Sequence, residues 1–156
     1  MASNYLAIVA DIKSKMETIP GIGLVHDYER QAADLARFIL LFKDSAGKIL
    51  GWEITRRAAS EHSAGASFRH HQMVLKGYMG LQDEQASSKA FQVLADLVCE
   101  KFRSAVSPVG AIWQYRNGDE PANAPAQIEI INDRMFGSYL CHCAEIALSV
   151  TERIAG

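Results

Sequence analysis

The stretch from Phe68 to Val106 constrains the fold more than any other, because its hydrophobic period changes once, from two to about 3.6, with only a tight turn between. Over Phe68 to Met79, residues Met73, Leu75, Gly77 and Met79 share one face of a pleated strand, and Gln72, Val74, Lys76 and Tyr78 share the other. Such a strand is half buried. Gly80-Leu81-Gln82-Asp83 breaks the alternation, and Asp83 is placed to accept hydrogen bonds from the first amides of a following helix. Ala90, Phe91, Leu94, Leu97, Val98, Phe102 and Val106 then recur three or four apart as far as Ser107-Pro108, where proline cannot continue the ladder. A helix with that long an apolar stripe must lie across a sheet.

The flanking sequence supplies the rest of that sheet. Tyr5, Ile8, Val9, Ile12 and Met16 predict an amphipathic helix over Asn4 to Glu17, ended by Pro20-Gly21. Ile22 to Tyr28 reads as a short strand, and Glu29 to Asp34 as a loop or one helical turn. The run Ala36 to Lys43 is apolar nearly throughout, which suggests a central strand covered on both faces. Asp44 to Gly47 has the composition of a hairpin turn, Lys48 to Ala58 returns as a strand, and Glu61 to Ala66 connects it to the strand from Phe68. Residues 36 to 79 are thus expected to form a three-stranded antiparallel meander. Past Pro108, Ala111 to Tyr115 and Gln127 to Ile131 are short strands on either side of a loop from Arg116 to Pro125, and Asn132 to Gly137 fits no single period. Tyr139 to Thr151 is a long strand with Leu140, His142, Ala144, Ile146, Leu148 and Val150 on one face. The expected architecture is one α+β domain over residues 1–156: a mixed, mainly antiparallel sheet with an N-terminal helix and one long central helix packed on one side.

A chain of 156 residues buries roughly two thirds of its unfolded surface, and hydrophobic and charged fractions of 49% and 22% are those of a protein that folds unaided. A net charge of −2 offers no general attraction to phosphate backbones or anionic lipid, so neither specific nucleic-acid binding nor membrane association is expected. No apolar run approaches the ~20 residues of a membrane span, and the N-terminus does not read as an export signal, which predicts a cytoplasmic site of synthesis. Cys99, Cys141 and Cys143 are an odd, sparse set, expected as reduced and unpaired thiols.

Chemical motifs are few. Cys141-His142-Cys143 joins zinc-ligand types but lacks a second ligand pair at suitable spacing, and on a strand His142 points away from both thiols. His70-His71 likewise faces two ways. No Gly-x-Ser-x-Gly elbow, P-loop or dinucleotide fingerprint occurs, so neither a catalytic centre nor a cofactor or metal site is expected. Arg56, Arg57 and Arg69 suggest a basic strip on adjoining strands, suited to phosphate or an acidic partner surface, or simply a solvated strand face.

Three phrases together resemble a known family. Gly23-Leu24-Val25-His26-Asp27-Tyr28-Glu29-Arg30, Gly51-Trp52-Glu53-Ile54-Thr55-Arg56-Arg57, and Arg69-His70-His71 with Gly77-Tyr78-Met79 and Gln82-Asp83 are similar to the tail terminator (tail completion, minor tail) proteins of long-tailed bacteriophages and prophages. The resemblance spans roughly residues 4 to 106 and weakens beyond Pro108. It implies a structural protein, not an enzyme: a homo-oligomeric, usually hexameric ring that caps the tail tube, ends its polymerisation and offers the head-joining surface. Its partners would be further copies of itself, the tail tube protein and a head-tail connector, in the bacterial host cytoplasm during assembly and then in the virion tail. A ring closed by head-to-tail contacts needs two different complementary patches. Arg56, Arg57, Arg69 and His70 are candidates for one, and Asp119 and Glu120 in the loop from Arg116 to Pro125 for the other. The competing expectation is a small cytoplasmic enzyme or metal-binding domain using His70, His71, His142 and the nearby cysteines.

Overall fold

The computed structural model describes residues 4–30, 35–43, 47–63, 65–82, 86–116, 124–136 and 139–154. Helix α1 spans Tyr5–Glu17, strand β1 Leu24–His26, helix α2 Leu35–Phe42, strands β2 and β3 Leu50–Ser63 and Ser67–Gly80, and helix α3 Ser87–Arg103. Strands β4, β5 and β6 follow at Trp113–Tyr115, Ala126–Phe136 and Tyr139–Ile154. The sheet runs β1-β2-β3-β6, with β4 and β5 sharing the outer edge of β6 end to end. Among the described residues β1 pairs with β2 in parallel, and the other pairs are antiparallel. This is an α+β fold with a mixed, mostly antiparallel sheet.

The alternation of β3 and β6 decides what each face carries. Met73, Leu75, Ala144, Ile146, Leu148 and Val150 point to one face and pack with α1 (Ile8, Val9, Ile12, Met16) and α3 (Phe91, Leu94, Ala95, Val98, Phe102). Burying a side chain of this size stabilises by about 1.5–3 kcal/mol, so this face holds most of the core. Leu97 and Val106, expected on the stripe, are exposed, and the helix ends at Arg103 instead of reaching Val106. The expected cap Asp83 lies outside the described residues, and α3 starts from Ala86 in a left-handed conformation (φ 53°).

Two of the phrases that carry the family resemblance meet across β2 and β3. Trp52 pairs with Gly77, and Gly51 with Tyr78. A Cβ on Gly77 would lie 2.5 Å from the Trp52 ring, and one on Gly51 would lie 2.8 Å from Phe42. Each glycine is therefore the space an aromatic ring occupies.

The run expected as a central strand is helix α2, which corrects the three-stranded meander to the β2–β3 hairpin. A continuous apolar stretch of eight residues does not distinguish a buried strand from a buried helix by period. Helical spacing puts Phe38, Leu41 and Phe42 on one side, against Tyr78, Cys141, Cys143 and Phe136 on the sheet face opposite α1 and α3. Leu40 is left exposed. Three strands also run further than their sequence pattern predicts. β2 continues through Ser63 where a connection was expected from Glu61, β5 runs on through Phe136, and β6 reaches Ile154.

Candidate functional site

The expected basic strip divides between two faces. Arg56 and Arg69 turn toward the α1 side. The Arg56 guanidinium lies 4.5 Å over the Tyr5 ring with one nitrogen 3.4 Å from His71 Nδ1. Arg69 donates to Glu61 and lies 3.6 Å from Glu152. Arg57 sits at a bulge in β2 and reaches along the opposite face to Glu129 (2.8 Å) and Glu145 (3.5 Å). His70 also lies on that opposite face, with Nδ1 3.0 Å from Thr151 Oγ1. Asp119 and Glu120 lie outside the described residues.

Arg56 and Arg69 flank a fully buried centre that the sequence did not single out. Glu152 accepts from the Asn4 backbone and side-chain N–H groups (3.3 and 3.2 Å), and its other oxygen is 2.8 Å from His71 Nε2. Arginine has only donors to offer, so His71 Nδ1 is the acceptor toward Arg56 and Nε2–H donates to Glu152. Burial pushes the His71 imidazole down despite Glu152. Burial alone would raise Glu152, but the bonds from His71 and Asn4 outweigh it and hold the carboxyl below its ordinary range. The centre is a neutral imidazole on a carboxylate, tying α1 to the far ends of β3 and β6.

On the opposite face Glu53 is equally buried, bonded by the Arg30 backbone N–H (2.9 Å) and the Tyr78 hydroxyl (3.0 Å). Burial dominates there and raises its carboxyl. Beside it, His26 Nε2 lies 2.6 Å from the Leu41 carbonyl oxygen, fastening β1 to α2.

The histidines do not converge. His142 and His71 share a face but stand eight rungs apart along β6, about 26 Å at the rise of a strand, and His70 faces the other way. His142 instead bridges two elements, with Nδ1 2.5 Å from Asp133 Oδ1 on β5 and Nε2 2.8 Å from Ser87 Oγ at the start of α3. No motif announces this row, since the three residues come from three elements and only the β5–β6 register brings Asp133 opposite His142. All three cysteines are free. Burial pushes the Cys141 thiol up to about 11 and Cys143 up to about 12, so both are inert apolar fillers on the α2 face. Among the described residues no group of three or more His, Cys, Asp or Glu side chains is placed to hold a metal ion, and no helix is long and apolar enough to cross a membrane.

Two long strand edges remain. From Arg56 to Ser63 every β2 residue is exposed, and that stretch pairs with β3 on one side only among the described residues. β5 likewise pairs only with β6 and exposes Gln127 to Ile130 and Asn132 to Met135. A groove of about 690 Å³ beside β4, lined by Phe68, Val106, Pro108, Ile112, Trp113 and Arg153, completes the surface near the β2–β3 tip. No protein-family model matches the sequence, and no curated protein matches it.

Proposed function

We propose that the protein is a ring-forming tail terminator of a long-tailed bacteriophage or prophage, an architectural subunit that caps the tail tube, ends its polymerisation and presents the head-joining surface. The observation that carries this reading is the pair of open strand edges on opposite sides of one sheet. An exposed edge is a template for pairing with another chain, and two different edges on one subunit allow a head-to-tail contact that closes into a ring when the rotation per subunit permits. The net charges of the two edges are opposite: the outer half of β2 carries Arg56, Arg57 and Glu61, for +1, and β5 carries Glu129, Asp133 and Arg134, for −1, with Arg57 already paired to Glu129 inside the subunit. The family resemblance supplies the hexamer, the tube and connector as partners, and assembly in the host cytoplasm.

Glutamate at both Ala58 and Ala59 adds like charge to the face of β5, and both positions are exposed in the monomer. Ala58→Glu with Ala59→Glu should therefore keep a native circular dichroism spectrum yet give overlong, headless tails by electron microscopy in a complementation assay. Normal-length, head-joined tails from the folded variant would overturn the role of this edge.

A further inference from the structure

The row Ser87, His142 and Asp133 has an order and atom pairing that a ring subunit does not require. We propose that Ser87 is the nucleophile of an acyl-transfer site that hydrolyses short-chain carboxylic esters, with His142 as general base and acid and Asp133 positioning the imidazole. Asp133 Oδ1 lies 2.5 Å from His142 Nδ1. An ionised carboxylate only accepts, so Nδ1 carries the hydrogen and Nε2 turns its lone pair to Ser87 Oγ at 2.8 Å. The Gln82 backbone N–H donates to the same Oγ at 2.8 Å. With that lone pair occupied, the hydroxyl hydrogen is directed at the imidazole. Packing fixes the base as well, because His142 is buried and stacks on Phe91 with ring centroids 5.9 Å apart.

The surroundings suit an ester. Ser87 is the first residue of α3, so its Oγ lies in the positive field of the helix N-terminus, which favours negative charge developing beside it. Ser87 also lines a pocket of about 190 Å³ with Ile49, Leu50, Met79 and Ala90, apolar walls for a short acyl chain, and Lys48. In the first step Oγ forms a bond to the acyl carbon while its proton passes to His142 Nε2. The tetrahedral intermediate collapses, the bond to the leaving oxygen breaks, and that oxygen takes the proton from Nε2. Water then adds to the acyl-serine, gives a proton to Nε2, and releases the carboxylic acid as Ser87 recovers its hydrogen. Asp133 stays ionised throughout.

The test uses the intact protein with p-nitrophenyl butyrate and a fluorophosphonate probe. Expected are ester turnover above the free-imidazole background, and phosphonylation that peptide mapping places at Ser87. Ser87→Ala should abolish both, and His142→Gln should lower turnover by about 10²-fold or more. Asp133 is 54% exposed, so Asp133→Asn should stay folded while slowing turnover and shifting its pH–rate profile, because the imidazole tautomer is no longer held. Wild-type protein that takes no label, label at another residue, or an unshifted pH–rate profile in Asp133→Asn would each overturn the proposal. Should Ser87→Ala not fold, wild-type labelling and the Asp133→Asn profile decide. None of these readouts requires assembly, so the ring and the esterase stand or fall separately.

Discussion

The two faces of the sheet solve the same problem differently. Each combines an apolar cluster with one buried glutamate from the sheet. Under α1 and α3 the cluster is broad and aliphatic, and Glu152 is held as an anion by two groups of Asn4 and by His71. Under α2 the cluster is small and aromatic, with Phe38 stacked on Phe136 at 4.4 Å, and among the described residues Glu53 is hydrogen-bonded by a backbone amide and a phenol. Both carboxyls are out of water, yet one is lowered and the other raised. Burial raises both; at Glu53 it prevails, with Glu29 adding to it, whereas at Glu152 the bonds from His71 and Asn4 outweigh it.

The largest effect should come from breaking the broader core. Phe91→Ala removes a ring packed against Trp52 and the sheet and should cost about 3–5 kcal/mol by urea denaturation. Phe136→Ala, only partly buried on the smaller cluster, should cost about 1–2 kcal/mol. Equal losses would show that the cluster under α2 carries as much of the fold as the one under α3.

Next in size is the contrast between the glutamates. Glu152→Gln weakens charge-assisted bonds from Asn4 and His71 and turns an amide toward donors, for an expected loss of about 2–4 kcal/mol. Glu53→Gln should stay within about 1 kcal/mol of wild type, because the protein already disfavours the charge there. A Glu53→Gln loss as large as that of Glu152→Gln would mean Glu53 is held as an anion after all.

The smallest and most discriminating effect is on pH dependence. His71 is lowered from its ordinary 6.5, so its contribution is present above that pH and is lost as pH falls through the folded value. Glu152 is lowered from 4.5, and its contribution is lost as pH falls further, below 4.5. Glu53 has the opposite sign. Raised above 4.5, it favours folding at low pH, and that share disappears as pH rises through its folded value. Urea midpoints from pH about 4 to about 8 should therefore rise for Glu53→Gln relative to wild type. A constant difference between the two proteins across that range would remove the assigned shift.

What could be read from sequence follows from local period. The faces of β3 and β6, the stripe of α3 through Phe91, Leu94, Val98 and Phe102, and the buried side of α1 all repeat at two or at three to four residues, so their patterns survive without tertiary knowledge. The chain could also show Arg56, Arg57 and Arg69 as neighbours of a hairpin, because strand adjacency follows from chain order. Period two already puts Arg56 and Arg57 on opposite faces; what it could not show is the bulge between Arg56 and Ala58, which shifts the pairing of every β2 residue beyond it. Residues 36–43 lacked a decisive period, and only the presence of Tyr78, Cys141, Cys143 and Phe136 beneath them made a helix with Phe38, Leu41 and Phe42 on one side the favourable choice. The same limit applies to Glu152 with His71 and Asn4, and to Ser87 with His142 and Asp133. Their partners are separated by up to 148 positions in the chain, and no local pattern encodes which distant donor will face a carboxylate. Periodicity chooses the face a residue occupies; register and packing choose what it meets there.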